Sequence, residues 1–304
     1  MESILTTENL YKKYRQSQVL NGLSLRVPKG SVYGLVGKNG AGKTTLIRLI
    51  CGLQEPTDGS YTLYDTKHTE PDIIGSRRKM GAVVESPAFY SHMTAEQNLK
   101  EQYRILGLPS HDGIPELLKM VGLEEAGKKK VRNFSLGMRQ RLGIAMALAR
   151  EPDFLVLDEP MNGLDPQGIV EMRELLLRLN RERQITILIS SHILDELSRL
   201  ATHYGVIDQG RMIKEFTAEE LEAVCHKCIR VTVTKQESLI RILNDWKMEY
   251  RVVSDKEIDI FDSINITRLA LTLWEDGCEI LRIQEKEESL ENYYFSLIGG
   301  NRCE

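Results

Sequence analysis

Short runs of apolar residues alternate, over the first two thirds of the chain, with longer segments whose apolar positions recur at helical spacing. That alternation predicts an α/β domain with a mainly parallel central sheet. Four of the apolar runs stop at residues that carry chemistry: Ser31 to Val36 leads into a glycine loop, Met80 to Val84 into Glu85, Phe154 to Leu157 into Asp158 and Glu159, and Ile185 to Ile189 into Ser190, Ser191 and His192. Parallel strands all finish on one side of their sheet, and ligands bind in the crevice there. These endings, far apart in sequence, are therefore expected to face one site.

After "YGVIDQGRMIKEF" the pattern changes, which divides the chain at about residues 215 and 216. Thr217 to Val224 reads as a linking helix, Ile229 to Val233 as an alternating strand, Glu237 to Trp246 as a helix, and Tyr250 to Val253 and Ile258 to Phe261 as strands. A helix near Ile266 to Trp274, a strand near Glu279 to Ile283 and a last helix from Leu290 follow. Residues 216–304 thus read as a small accessory α+β domain with no glycine loop and no converging acids or bases, suited to regulation, dimer stabilisation or plain structural support.

The first strand ending is Gly37-Lys38-Asn39-Gly40-Ala41-Gly42-Lys43-Thr44, a P-loop pattern, in which glycines let backbone N–H groups approach phosphates and the next helix presents its positive end. Lys43 would reach the terminal phosphates and Thr44 would ligate Mg²⁺, with Thr45 opening the helical run that Gly52 closes. Asp158 and Glu159 have no basic residue within several positions, so the pair calls for a cation from elsewhere. Mg²⁺ on ATP would supply it: Asp158 would hold the metal through water, and Glu159 would polarise the water that attacks the γ-phosphate. At the same edge His192 can contact the γ-phosphate, and Glu85 can contact Mg²⁺ or water.

Composition removes several other classes. With 304 residues, 41% hydrophobic and 28% charged residues, and a formal net charge of -4, the chain is an ordinary globular one with no nucleic-acid surface signalled. The Lys128-Lys129-Lys130 run, without interleaved aromatics, reads as a solvated loop. No run approaches the ~20 apolar residues of a membrane span, and Met1-Glu2-Ser3 lacks the features of a signal peptide, so a cytosolic chain is expected, able to dock on a membrane protein. Five scattered cysteines, Cys51, Cys225, Cys228, Cys278 and Cys303, fit a reducing compartment. Cys225-His226-Lys227-Cys228 has the spacing of half a metal site, but no second pair follows, and it reads as free thiols on a helix-to-strand connection.

"VRNFSLGMRQRLGIAMALARE" has the marks of a second anion-binding helix start, with Ser135 able to cap, Gly137 allowing close approach, and Met138 to Arg150 composed as a partly buried helix. One P-loop and one spare anion site in a single chain suggest a two-fold dimer, each P-loop facing the Ser135 to Gly137 segment of the other copy, with two nucleotides enclosed.

The order of P-loop, strand-end acid, "FSLGM", "LVLDEP", "NGLD" and "SSH" closely resembles the ATP-binding cassette (ABC) ATPases over about residues 1–215. The resemblance implies an ATPase subunit that powers a separately encoded membrane permease, with ATP sandwiched head to tail between two such subunits, a homodimer or a pair. It implies a helical subdomain at about residues 86–150 that meets the permease. It also implies that Tyr14 stacks on adenine, that Ser135 and Gly137 contact the partner's γ-phosphate, that Asp165 lies across the dimer interface, and that His192 is the switch histidine. This chain has Phe134-Ser135-Leu136-Gly137-Met138 where the family commonly has Leu-Ser-Gly-Gly-Gln, and Glu85 where a glutamine is common. The acidic residue, with "ESPAFY" and "FSLGMRQRLGIA", is similar to the branch that exports or detoxifies peptide antibiotics such as lantibiotics and bacitracin.

Two other functions remain open on the sequence. A soluble cassette ATPase acting on ribosomes or DNA usually carries two cassettes or a long coiled coil, and neither is present in this sequence. A P-loop kinase would use Lys43 and Asp158 but leave Ser135 and Glu159 idle.

Overall fold

A computed structural model describes residues 2–85, 87–224, 227–287, 293–294 and 297. By its internal contacts the chain falls into two compact units, Met1–Ala218 and Glu219–Glu304. In chain order the first contains β1 (Ser3–Tyr14), β2 (Ser17–Pro28), β3 (Val32–Val36), α1 (Lys43–Ile50), β4 (Asp58–Leu63), β5 (Thr66–Lys67), α2 (Ile73–Arg77) and β6 (Met80–Val83). Then come α3 (Ala95–Leu106), α4 (Ile114–Met120), α5 (Leu136–Leu148), β7 (Phe154–Asp158), α6 (Pro166–Arg183), β8 (Thr186–Ser191), α7 (Leu194–Ser198), β9 (His203–Asp208) and β10 (Arg211–Thr217).

The central sheet has six strands in the order β10-β9-β3-β8-β7-β6, parallel throughout except for the β9/β10 hairpin at its edge. The four strands whose endings carry chemistry are therefore consecutive neighbours, β3, β8, β7 and β6, and their carboxyl ends lie along one edge. β3, β7 and β8 are buried at every position, as continuous apolar runs covered on both faces must be.

A second sheet, antiparallel and ordered β2-β1-β4-β5, was not foreseen from the sequence. Its long strands contain several register shifts, at Thr7/Leu10 and Lys12/Lys13 among others, and each shift breaks the period-two alternation by which a strand is recognised. Between the two sheets lies the main core. Leu46, Ile47, Leu49 and Ile50 of α1 pack there, fully buried, with Leu5, Leu10, Leu20 and Leu23 of the antiparallel sheet and Leu35, Phe154, Val156 and Leu188 of the central one. Each such side chain contributes about 2 kcal/mol by leaving water. That burial holds α1 in place although its threonines and isoleucines are indifferent helix formers.

The segment between β6 and β7 is helical. α3 opens on a capping box in which Thr94 Oγ1 accepts from Gln97 N while Thr94 N donates to Gln97 Oε1. α5 starts at Ser135, whose Oγ accepts from Met138 N at 3.2 Å.

The second unit runs from α8 (Ala218–Val224), whose first residue closes the first unit, through β11 (Lys227–Val233), α9 (Gln236–Asp245), β12 (Tyr250–Ser254), β13 (Glu257–Ile260) and α10 (Ile266–Glu275) to β14 (Ile280–Glu287). Its antiparallel sheet is ordered β12-β13-β11-β14. Val231, Val233, Ile258 and Ile260 of the sheet pack against Leu239, Ile242 and Leu243 of α9 and Leu269 and Leu273 of α10. The elements expected between residues 229 and 283 all appear, within a few residues of their expected bounds. Cys225, His226, Cys303 and the start of the helix expected from Leu290 lie outside the described residues.

Candidate active site

Among the longer helices α1 and α9 start without a side-chain cap. α3, α5, α6 and α10 start on side-chain caps from Thr94, Ser135, Asp165 and Asn265. α1 starts on Gly42, with no side-chain cap and no acidic residue in its first turn. Its leading N–H groups and the positive end of its dipole are thus left for an anion. The loop that brings the chain there demands its glycines: Gly42 has φ 112°, and a Cβ would come within 2.8 Å of Leu20 Cδ2. At Gly37 a Cβ would stand 2.5 Å from the carbonyl oxygen of Ile207. Lys38, Asn39 and Gly40 are exposed, whereas Ala41, Gly42 and Lys43 are buried and Thr44 and Thr45 half-buried.

Lys43 is only 5% exposed, and its Nζ donates to Gly37 O at 2.6 Å and Lys38 O at 3.3 Å. It also lies 3.1 Å from Glu159 Oε1. The other oxygen of that carboxylate, Oε2, accepts from His192 Nδ1 at 2.6 Å. Glu159 is thereby held between a cation from the first strand ending and a histidine from the fourth. The sequence reading assigned the counter-charge of the acidic pair to Mg²⁺; in this structure Lys43, more than a hundred positions away, supplies it to Glu159. Three strands separate in sequence but adjacent in the sheet make the meeting possible.

Asp158 ends β7 at 4% exposure, and its Oδ1 accepts from Ser190 Oγ at 2.6 Å. Ser190 stands opposite it in the parallel register of β7 and β8. The same Oγ accepts from Glu159 N at 3.0 Å, so one hydroxyl fixes both acids. Glu159 has φ 50°, a left-handed conformation for a non-glycine residue, next to Pro160, which disfavours the right-handed helical alternative. The turn aims its side chain back across the strand ends to Lys43 and His192.

Other expected residues stand apart from this group. Glu85 follows β6 with φ 57°, and its carboxylate forms an ion pair with Arg48 of α1. Tyr14 ends β1, 37% exposed, with its hydroxyl donating to Gln54 Oε1 and the ammonium of Lys12 5.1 Å from its ring centre. Ser135 and Asp165 cap their own helices, Asp165 Oδ1 accepting from Gly168 N at 3.2 Å. Gly137 is half-buried, and a Cβ there would meet Leu164 Cδ2 at 3.7 Å, an ordinary contact. Sequence reasoning missed the roles of Ser190 and Arg48. Arg48 had one signal, its spacing of four residues from Thr44 on a helix. Ser190 was visible as a strand-end residue, but its register opposite Asp158 was not.

The arrangement fits a magnesium-bound nucleoside triphosphate. A buried ammonium, an uncapped helix start and a glycine-lined backbone suit the phosphates. Among the described residues no group of three or more His, Cys, Asp or Glu is assembled to hold a metal. Mg²⁺ is commonly held by one or two protein oxygens, with phosphate and water completing the shell, and Thr44 and Asp158 would be those oxygens here.

The model of the ABC transporter family matches residues 20–162. Over 302 residues, 99% of this chain and 98% of that protein, the sequence is 40% identical to the bacitracin transport ATP-binding protein BcrA of Enterococcus faecalis. It is 42% identical to the lantibiotic transport ATP-binding protein SrtF of Streptococcus pyogenes over 219 residues, 71% of this chain and 93% of that one. Among solved structures, a dimeric ATP-binding cassette in a post-hydrolysis state with ADP and Pi superposes with a TM-score of 0.64 at 25% identity, covering 70% of this chain and 98% of the other.

Proposed function

We propose, given that this chain belongs to the ATP-binding subunits of ABC transporters and hydrolyses ATP, that two copies close on two ATP molecules to drive a separately encoded membrane permease. The observation that carries the reading is the Lys43–Glu159–His192 chain at the end of the P-loop strand and its neighbours.

When ATP enters, Lys43 exchanges the Glu159 carboxylate for phosphate oxygens. Release of Oε1 leaves Glu159 free to accept a proton from the attacking water. His192, bonded to Oε2, keeps the carboxylate oriented and would contact the γ-phosphate once ATP is bound. Thr44 and Asp158 would hold Mg²⁺, which when bound would neutralise charge on the phosphates. Ser135 and Gly137 of one copy meet the γ-phosphate held by the other, Asp165 lies across that interface, and Tyr14 stacks on adenine. The exposed helix start at Ser135, whose hydroxyl caps α5, supports this pairing.

Among the described residues no helix is long and apolar enough to cross a membrane. We place the chain at the inner face of the cell membrane through its permease, with the helical segment at about residues 86–150 as the contact. By similarity to the bacitracin and lantibiotic transport proteins, the cargo is a peptide antibiotic or another hydrophobic compound, and we take the permease to export or detoxify it.

Glu159→Gln is expected to bind ATP yet turn over ~10²- to 10⁴-fold more slowly, the usual loss for a missing general base. Normal steady-state phosphate release by that variant would remove Glu159 from the role. Trapped with ATP in its native cell, the same variant should co-purify with a multi-span membrane protein in near-stoichiometric amount. Ribosomal or DNA-bound proteins in its place would favour a soluble cassette ATPase.

A further inference from the structure

The ion pair between Arg48 and Glu85 joins the P-loop helix to the loop that follows β6. Arg48 lies four residues beyond Thr44, on the same face of α1 and about 6 Å further along its axis. β6 pairs with β7 in register, Val83 opposite Leu157, so Glu85 leaves the sheet at the edge that also carries Asp158 and Glu159. Three acidic residues therefore stand at the ends of the neighbouring strands β6 and β7, and each is engaged by a partner. Asp158 has Ser190, Glu159 has Lys43 and His192, and Glu85 has Arg48. Glu85 also keeps a left-handed backbone, φ 57°, a conformation that persists in a non-glycine residue when surrounding contacts impose it.

We propose that Arg48 is a positioning residue that holds the Glu85 carboxylate one helical turn away from the nucleotide phosphates. The inference rests on the ATP-binding reading of this site. While Arg48 keeps Glu85, the crevice carries one free negative charge fewer, and triphosphate enters against less repulsion. Without Arg48, Glu85 is released towards the phosphates and repels them unless a divalent cation stands between.

The test is ATP affinity by calorimetry in EDTA and in saturating Mg²⁺, with every protein carrying Glu159→Gln so that hydrolysis does not intrude. Arg48→Ala should weaken ATP binding about three-fold in EDTA, the scale of one exposed ion pair, and much less in Mg²⁺. Arg48→Lys, which keeps the charge, should retain the parent affinity, and adding Glu85→Gln to Arg48→Ala should abolish the EDTA effect. A thermal melt of each nucleotide-free variant checks that it is folded.

A loss of equal size with and without Mg²⁺, a loss that persists beside Glu85→Gln, or no loss at all would overturn the role of Arg48. In each of those cases the parent still binds ATP, and the ATPase reading stands. A parent protein that binds no ATP in either condition would overturn the function itself and this inference with it.

Discussion

Glu159 touches three other parts of the site through three different atoms: Oε1 meets Lys43, Oε2 meets His192, and its backbone N–H meets Ser190. The residue types needed for ATP chemistry were legible in the sequence because each sits in a short local pattern. Which of them touch was not legible, since a hydrogen bond between strand ends depends on sheet order and register. Ser190 is the clearest case, an unremarkable strand-end serine that bonds Asp158 Oδ1 and Glu159 N with one hydroxyl. Ser190→Ala removes both bonds to the hydroxyl while Glu159 N keeps the Ser190 carbonyl oxygen at 3.2 Å, a loss of about 1.5 kcal/mol of positioning, chiefly at Asp158. Turnover is expected to fall about tenfold. ATP affinity, measured in the Glu159→Gln background, should stay within two-fold of its parent, roughly the error of such a comparison. Equal losses in kcat and affinity would mean that the serine supports the fold rather than the geometry of the acids.

α1 does its work as an element. Its uncapped amino end follows the P-loop, its Arg48 pairs with Glu85, and its apolar side is packed between two sheets. The helical run and its closing Gly52 could be read from the chain, and the observed helix starts two residues earlier than the run suggested. The antiparallel sheet on its other side could not, because shifted registers hide the alternation of β1 and β2. If that packing holds the P-loop in shape, Leu46→Ala should cost about 2–5 kcal/mol of stability in chemical denaturation. ATP affinity should weaken with it, because the cavity lies directly under the phosphate-binding turn. Undiminished affinity in a clearly destabilised Leu46→Ala protein would show that the loop keeps its form without the core beneath it.

For the molecule as a whole, the second unit offers a separate handle on stability. On its sheet Asp259 is 1% exposed and takes a bidentate contact from Arg230, Nε to Oδ1 at 2.5 Å and Nη2 to Oδ2 at 2.7 Å, with Arg251 Nη2 3.5 Å from Oδ2. The hydrogen bond from Arg230 holds the Asp259 carboxyl below its ordinary range, against the opposing effect of burial. A folded-state pKa lowered in this way gives stability that is fully present above the unfolded value of about 3.9 and is lost as pH falls through the folded value. Asp259→Asn should therefore melt at lower temperature at neutral pH, and its melting temperature should fall less steeply than that of the parent between about pH 5 and pH 3. Parallel curves in calorimetry of the full chain would dismiss the linkage.

The sequence by itself determined the class of fold, the P-loop, the acidic strand ending, the capped helix start at Ser135 and the elements of the second unit between residues 229 and 283. All of these are written in local spacing, where backbone preferences and hydrophobic periodicity act over a few residues. Only the tertiary structure decided the strand orders, the antiparallel sheet behind α1, the meeting of Lys43 and His192 on one carboxylate, and the capture of Glu85 by Arg48. Those depend on contacts between residues dozens to more than a hundred positions apart, chosen by packing of the whole core rather than by any neighbour in the chain.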